Sequence, residues 1–280
     1  MKIKDVEQIL NDSRISVKKK FGQNFLLDQN VLEKIVTVLP KENMENVIEI
    51  GPGLGFLTNE ITKLSKKCVL YEIDDEMVGF LKSKGFLNTT IRNIDVLKIN
   101  VEEEIKNNFG SAYVSLVANL PYYITTPILT KFLTETKQVN KMVVMMQKEV
   151  ALRICGKPKT KDYNALSVFM QYYTNSKIAI NVPPKSFYPA PEVDSSVVLI
   201  ERKEITNKAV NEDAFNKFVK WIFTQRRKTL MNNISKTQIP KDLVKQILEE
   251  KGYNQSVRSE ELSVEEIVDL FNDIYIKFNF

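Results

Sequence analysis

The sequence predicts an α/β protein, seven strands alternating with helices, followed by a small all-helical domain. Three observations predict it. Short apolar runs alternate with segments whose apolar residues fall at helical spacing. Glycine, acidic and amide residues stand immediately after four of those runs, where open α/β sheets bind their ligands. Beyond residue 203 the strand-like runs stop and only helical spacing continues.

The elements follow in order. A helical pattern over 31–39 precedes the first strand, 47–50, which breaks into Gly51-Pro52-Gly53-Leu54-Gly55 and then a helix over 57–64. Further strands are expected at 67–72, 90–94, 114–118, 141–146, 177–182 and 193–200, with helices at 75–84, 126–136, 148–154 and 164–173. The stretch 201–211 is polar and charged, so a domain change is placed there, giving domains 1–203 and 204–280. In the second, Phe215, Phe218, Val219 and Ile222, then Leu243, Ile247 and Leu248, then Ile267, Val268, Leu270 and Phe271 repeat at helical spacing. Pro240 and Gly252 act as stops, and Ser263 with Glu266 reads as a capping box.

Composition bounds the function. A chain of 280 residues, 43% hydrophobic, can bury one large core and one small one. No apolar run reaches the length of a membrane span and the start has no signal-peptide core, so a cytoplasmic protein without a membrane partner is expected. Cys68 and Cys155 have no metal-ligand spacing, and the absence of histidine removes the commonest zinc ligand and the usual neutral-pH base; no metal is expected. Net charge is +5, and acidic residues are missing from 214–241, which carries Arg226, Arg227 and Lys228 with Phe218, Trp221 and Phe223. Arg14, Lys18, Lys19 and Lys20 form a second acid-free basic cluster. A solvated helix face and an RNA-backbone footprint both fit such runs; two of them beside a base pocket favour the RNA.

The pocket itself is argued from Asn119-Leu120-Pro121-Tyr122 at the end of an apolar strand. An exocyclic amine on a purine is a poor nucleophile, because its lone pair is drawn into the ring, and its hydrogens must be held by acceptors. Asn119 offers a side-chain acceptor. Leu120 offers its carbonyl, since Pro121 holds the preceding residue extended and supplies no competing N–H. Tyr122 offers a ring on which the base can stack. An ordinary strand end running into a proline turn is the alternative reading of those four residues. Glu49-x-Gly51-x-Gly53-x-Gly55 lets backbone approach a ligand closely, Glu72 stands one βαβ unit later to accept from ribose hydroxyls, and Asp95 ends the next strand, placed to accept from an adenine amino group or to lie in an exposed loop. A nicotinamide fingerprint would want glycine at position 56, which is Phe56.

The glycine segment resembles the first motif of class I S-adenosylmethionine methyltransferases. The whole chain resembles the ribosomal RNA adenine N6,N6-dimethyltransferases, within them the KsgA-type enzymes of the bacterial small subunit. The motifs that carry this are Lys20-Phe21-Gly22-Gln23-Asn24-Phe25-Leu26, the glycine turn, Asn119 to Tyr122, Met146-Gln147-Lys148-Glu149-Val150-Ala151, Val182-Pro183-Pro184, Ser186-Phe187-Tyr188-Pro189-Ala190-Pro191 with Val193-Asp194-Ser195, and the run 223–233.

The resemblance implies a class I Rossmann-like sheet with one late antiparallel strand. It implies S-adenosylmethionine held by Gln23, Asn24, Leu26, Gly51, Gly53, Gly55, Glu72, Ile73, Asp95, Val96 and Asn119, and a target adenine received by Asn119, Leu120, Pro121 and Tyr122 with Phe187 as a second aromatic. Two adjacent adenosines in the 3′-terminal hairpin of 16S rRNA, within an assembling 30S-type particle, are the implied substrate. Lys18, Lys19, Lys20, Arg226, Arg227 and Lys228 are the expected RNA contacts, and a monomer is expected. Three other readings compete: the large-subunit Erm-type enzyme of the same fold, a non-catalytic ribosome-assembly factor, and a nicotinamide oxidoreductase. The 223–230 and 186–191 segments favour the small-subunit branch over the Erm type, and Phe56 weakens the oxidoreductase.

Overall fold

A computed structural model describes residues 3–18 and 22–280. Its elements are α1 (Ile3–Asp12), β1 (Phe25–Leu26), α2 (Gln29–Val36), β2 (Asn46–Ile50), α3 (Phe56–Thr62), β3 (Lys67–Glu72), α4 (Asp75–Lys84), β4 (Thr89–Asn93), α5 (Val101–Phe109), β5 (Val114–Asn119), α6 (Thr125–Glu135), β6 (Val139–Gln147), α7 (Lys148–Ile154), α8 (Ala165–Tyr173), β7 (Thr174–Val182), β8 (Phe187–Tyr188) and β9 (Ser195–Arg202). Four helices complete the chain: α9 (Glu212–Ile222), α10 (Leu230–Ile234), α11 (Lys241–Glu250) and α12 (Val264–Lys277).

The main sheet has seven strands in the order β4-β3-β2-β5-β6-β9-β7. Pairing is parallel from β4 through β6, and β9 runs antiparallel to β6, with Val143 opposite Leu199. The strand order reverses between β2 and β5, and a crevice opens outside their carboxyl ends at such a switch point. Buried runs such as Val47, Ile48 and Ile50, or Val114, Leu116, Val117 and Ala118, fit strands covered on both faces. Leu32 and Ile35 of α2 and Leu57 and Ile61 of α3 pack on Val47, Leu70, Val117 and Val143, which fixes α3 behind the glycine turn.

Five elements escaped the sequence reading: α1, α5, α10 and the strands β1 and β8. Helix α1 buries only Val6 and Leu10, one turn apart, yet with Phe25, Leu54 and Met77 these build a small second core beside the glycine turn. Helix α5 buries only Val101 and Ile105; it is set by its Asn100 cap, which accepts from the Glu103 N–H, and by three acidic residues in the first turn that favour the positive end of the helix dipole. The two-residue strands β1 and β8 pair antiparallel, Leu26 with Phe187, and are too short to leave a periodic signal.

The chain divides into two compact units, residues 1–151 with 177–202, and residues 152–176 with 203–280. A single cut after residue 203 was expected; the structure also assigns the segment 152–176 to the second unit. The reason is aromatic packing on α8: Tyr172 lies 4.9 Å from Phe215 by ring centroids, and its hydroxyl oxygen accepts the Ala209 N–H at 3.0 Å. In the second unit Phe215 and Phe218 of α9 meet Phe271 of α12 at 5.4 and 5.6 Å. Ser263 and Glu266 form the expected capping box at the start of α12. Among the described residues no helix is long and apolar enough to cross a membrane.

Candidate active site

The carboxyl ends of β2, β3, β4 and β5 converge on one cavity of about 250 Å³. Its floor is the turn after β2. Gly51 and Gly53 adopt φ of 68° and 55°, left-handed values that a side chain strains, and the Gly51 N–H is tied to the Tyr71 carbonyl of β3 at 2.9 Å. A Cβ on Gly53 would stand 3.0 Å from the Phe25 ring, so the turn and the N-terminal segment approach each other as closely as glycine allows.

Glu72 closes β3 and is almost wholly buried. One carboxylate oxygen accepts the Gly53 N–H at 3.1 Å, and the other accepts the Ile73 and Asp74 N–H groups, both at 2.9 Å. Burial pushes its carboxyl up from the ordinary value, and the three backbone donors hold that rise in check. Beyond it, Ile73 remains 46% exposed and Val96 is buried, an apolar pair on the cavity wall. Asp95 caps the short turn after β4 by accepting the Leu97 N–H at 3.0 Å, and it too lines the cavity.

Asn119, the last residue of β5, donates its side-chain N–H to the Asn24 carbonyl at 3.0 Å. That bond fixes which end of the amide is the donor and leaves the carbonyl oxygen as the acceptor at the cavity. Leu120 donates its N–H to the Met145 carbonyl of β6 at 3.2 Å, which carries the β5–β6 pairing up to Pro121. The Tyr122 hydroxyl is 2.7 Å from the buried Ser195 hydroxyl, which pins the ring.

The cavity therefore unites residues spread over a hundred positions. A family model described as ribosomal RNA adenine dimethylase matches residues 14–275. The chain belongs to that family. A Clostridioides difficile protein named ribosomal RNA small subunit methyltransferase A is 42% identical over 97% of this chain and 95% of its own. A Bacillus cytotoxicus protein of the same name is 45% identical over 95% and 94%. Among solved structures, a dimethyladenosine transferase from Plasmodium falciparum superposes with a TM-score of 0.74 at 24% identity, covering 91% of this chain and 97% of that one. The 23S rRNA methyltransferase ErmE gives 0.67 at 22% identity, covering 89% and 99%. Both show the class I methyltransferase fold, in agreement with the sheet described above.

The cofactor of this dimethylase family is S-adenosylmethionine, and the residues present fit it. The glycine turn is a cradle that a side chain would fill, Glu72 offers acceptors at its edge, and Ile73 with Val96 offer an apolar wall for a purine.

Among the expected cofactor residues, Gln23, Asn24, Leu26, Gly51, Gly53, Glu72, Ile73, Asp95, Val96 and Asn119 all line the cavity, as do Leu120, Pro121 and Tyr122. Gly55 does not. At φ 77° it heads α3, where an added Cβ would come within 2.9 Å of Phe86 and 3.0 Å of Leu81, so its glycine serves packing. Phe187 is not on the lining either: paired with Leu26 in the β1–β8 ladder, it packs with Leu26, Val182 and Val197 and is only 2% exposed.

Lys18 is held by Asp74 at 2.6 Å and Glu76 at 3.1 Å, and Arg226 by Glu260 at 2.7 Å and the Thr160 carbonyl at 3.0 Å. Arg227 and Lys228 are exposed. Lys19 and Lys20 lie outside the described residues.

Sequence reasoning gave no role to Tyr123, to Asp74 or, beyond its place in the glycine motif, to Glu49. Tyr123, 60% exposed at the cavity, lies against Gly22 and could have been noticed as a second aromatic in the Pro-Tyr-Tyr run. Glu49 lines the cavity from the interior of β2 and accepts the Thr58 hydroxyl at 2.6 Å. Burial, with Glu72 as a like-charged neighbour, pushes its carboxyl up to about 8 despite the Thr58 bond.

Proposed function

We propose that the protein transfers methyl groups from S-adenosylmethionine to N6 of two adjacent adenosines in the 3′-terminal hairpin of small-subunit 16S rRNA, giving N6,N6-dimethyladenosine during ribosome assembly. The observation that carries this reading is the Asn119 amide, locked by Asn24 so that its carbonyl oxygen is an acceptor in the same cavity as the glycine turn and Glu72.

When bound, the cofactor supplies a methyl carbon that is already electrophilic, so the protein's work is placement and charge stabilisation. A duplex-embedded base cannot reach this cavity, and an adenine must be everted into it. Tyr122, immobilised through Ser195, offers the stacking face. The Asn119 side-chain oxygen and the Leu120 carbonyl hold the two hydrogens of the exocyclic amine, which aligns its lone pair and favours the positive charge that grows there during transfer. The methylated amine is strongly acidic and loses its proton to water, so the lack of histidine is no obstacle.

The small-subunit assignment rests on the full-length likeness to proteins of that name, at 42–45% identity. We place the reaction in the cytoplasm on an assembling 30S-type particle, with the chain acting as a monomer. The second unit is assigned to RNA backbone binding through Arg227 and Lys228. The test is to incubate the protein and methyl-labelled cofactor with undermethylated 30S-type particles and with 23S rRNA side by side. Label should enter the small-subunit RNA as dimethyladenosine; label confined to 23S rRNA would overturn the assignment.

A further inference from the structure

The polar network between the N-terminal segment and the β3–α4 junction has no part in the chemistry above, and its bonds close into a ring. Asp74 is its centre, with a side chain sealed from solvent. One carboxylate oxygen accepts the Lys18 ammonium at 2.6 Å and the Glu76 N–H at 3.1 Å, the latter capping α4. The other accepts the Gln23 side-chain N–H at 3.0 Å. The Gln23 side-chain oxygen in turn accepts the Lys18 backbone N–H at 2.8 Å, which closes a ring of bonds through Lys18, Gln23 and Asp74. Glu76 reinforces it from outside, accepting the Ser16 N–H at 3.2 Å and pairing with Lys18.

Burial alone would raise the Asp74 carboxyl; the bonds from Lys18 and Gln23 outweigh it and hold the group below its ordinary value, so it stays charged.

This ring has two outlets into the cavity. Through its own N–H, Asp74 grips the Glu72 oxygen that also binds Ile73, on the cofactor side. Through Gln23 it anchors the segment whose next residue, Asn24, fixes the Asn119 amide on the target side. We propose that Asp74, with Lys18 as its counter-ion, is a positioning residue that sets the cavity wall formed by Gln23 and Asn24 against Glu72, so that Lys18 governs cofactor binding and not RNA contact. The proposal rests on the functional reading above for the identity of the cofactor.

An energetic consequence follows from the closed ring. A buried carboxylate that loses one charged donor keeps its burial cost without the compensating bond, so either Lys18→Met or Asp74→Asn breaks the same unit and the two losses do not add. Asn is itself a good N-cap, so Asp74→Asn spares the start of α4.

The experiment uses the full-length protein, with S-adenosylhomocysteine as the non-reacting probe of the cofactor site. Lys18→Met, Asp74→Asn and the double variant are compared for S-adenosylhomocysteine affinity by calorimetry, for hydrogen exchange of the 22–26 amides in the ligand-free protein, and for salt dependence of binding to a small-subunit rRNA fragment. Each single variant should weaken S-adenosylhomocysteine about tenfold and speed exchange at 22–26, with the double variant no worse than the weaker single. The salt slope of RNA binding should stay unchanged.

Additive losses, unaltered exchange at 22–26, or a salt slope reduced by about 1 in Lys18→Met would overturn the proposal and return Lys18 to the RNA surface. If the wild-type protein fails to bind S-adenosylhomocysteine while exchange responds as stated, the positioning ring stands and the functional reading fails instead. Should Asp74→Asn unfold, Lys18→Met alone decides, since Met keeps the aliphatic stem of the partly exposed lysine and removes only its charge.

Discussion

The cavity at the strand ends and the basic loop after α9 carry the same kind of side chain, polar and charged, under opposite constraints. In the cavity these polar groups are held by defined partners: Glu72 by three backbone N–H groups, Asn119 by the Asn24 carbonyl and by its place at the end of β5, Tyr122 by Ser195. In the loop, Arg226 is tied down, while Arg227 and Lys228 project from the surface. Where geometry fixes a group, only one residue type serves and its identity is informative. Where a group supplies charge to a diffuse polyanion, Lys and Arg exchange freely and only the local excess of charge is informative.

The comparison is broken most sharply at Asn119. Asn119→Ala removes an acceptor from the reacting amine and touches no phosphate, so turnover should fall by about 10²–10³. Affinity for rRNA should change only a few-fold, and affinity for S-adenosylhomocysteine by about tenfold, since the bond to Asn24 is lost with the side chain. Single-turnover rates with labelled cofactor measure the first, filter binding and calorimetry the rest. Near-normal turnover would remove Asn119 from the mechanism and with it the distinction between the two regions.

Glu49 gives the next largest effect, because a neutral carboxyl inside the cavity makes stability depend on pH. Its carboxyl lies at about 8 in the fold against 4.5 in the unfolded chain. The folded state therefore holds a proton that the unfolded state has released over this window, so this group's contribution to stability is complete below about 4.5 and is lost as pH rises toward 8. Glu49→Gln keeps the hydrogen bond to Thr58 possible and abolishes the titration. Urea unfolding across that window should show the wild type losing on the order of a few kcal/mol relative to the variant. Parallel curves would mean that Glu49 is charged in the folded protein and solvated in a way its burial does not suggest.

What could be read in the sequence divides along the same line. Strands β2, β3, β5 and β6 were legible because they are largely buried on both faces and so read as apolar runs, and Gly51, Glu72 and Asn119 were legible because each closes or follows one; β4 is mostly exposed, and Asp95 was found from its order along the chain. Helix α5 was hidden, since it buries two side chains and is otherwise charged. Phe187 was placed at the base by its motif; the register that turns it into the core comes from pairing with Leu26, which is 161 positions away and leaves no local trace. Glu49 was passed over because a carboxylate within an apolar strand looks like punctuation until its burial is known. Composition identified the basic run after α9 but could not divide its adjacent arginines into structural and free.

That division yields the smallest effect and the most direct comparison within one loop. Arg226 spends its guanidinium on Glu260 and Thr160, whereas the side chains of Arg227 and Lys228 are exposed. Arg226→Ala should therefore lower stability by up to about 1 kcal/mol, the loss being limited by the solvent that screens a half-exposed pair. It should leave the salt dependence of rRNA binding close to that of the wild type. Arg227→Ala with Lys228→Ala should do the reverse, leaving the unfolding midpoint in place while flattening the slope of log K against log salt by up to about 1 for each phosphate no longer neutralised. Thermal unfolding and salt titrations on the same three proteins separate the cases. If Arg226→Ala flattens the slope as much as the double variant does, the ion pair with Glu260 opens on binding, and the free and structural arginines of this loop are then states of one surface.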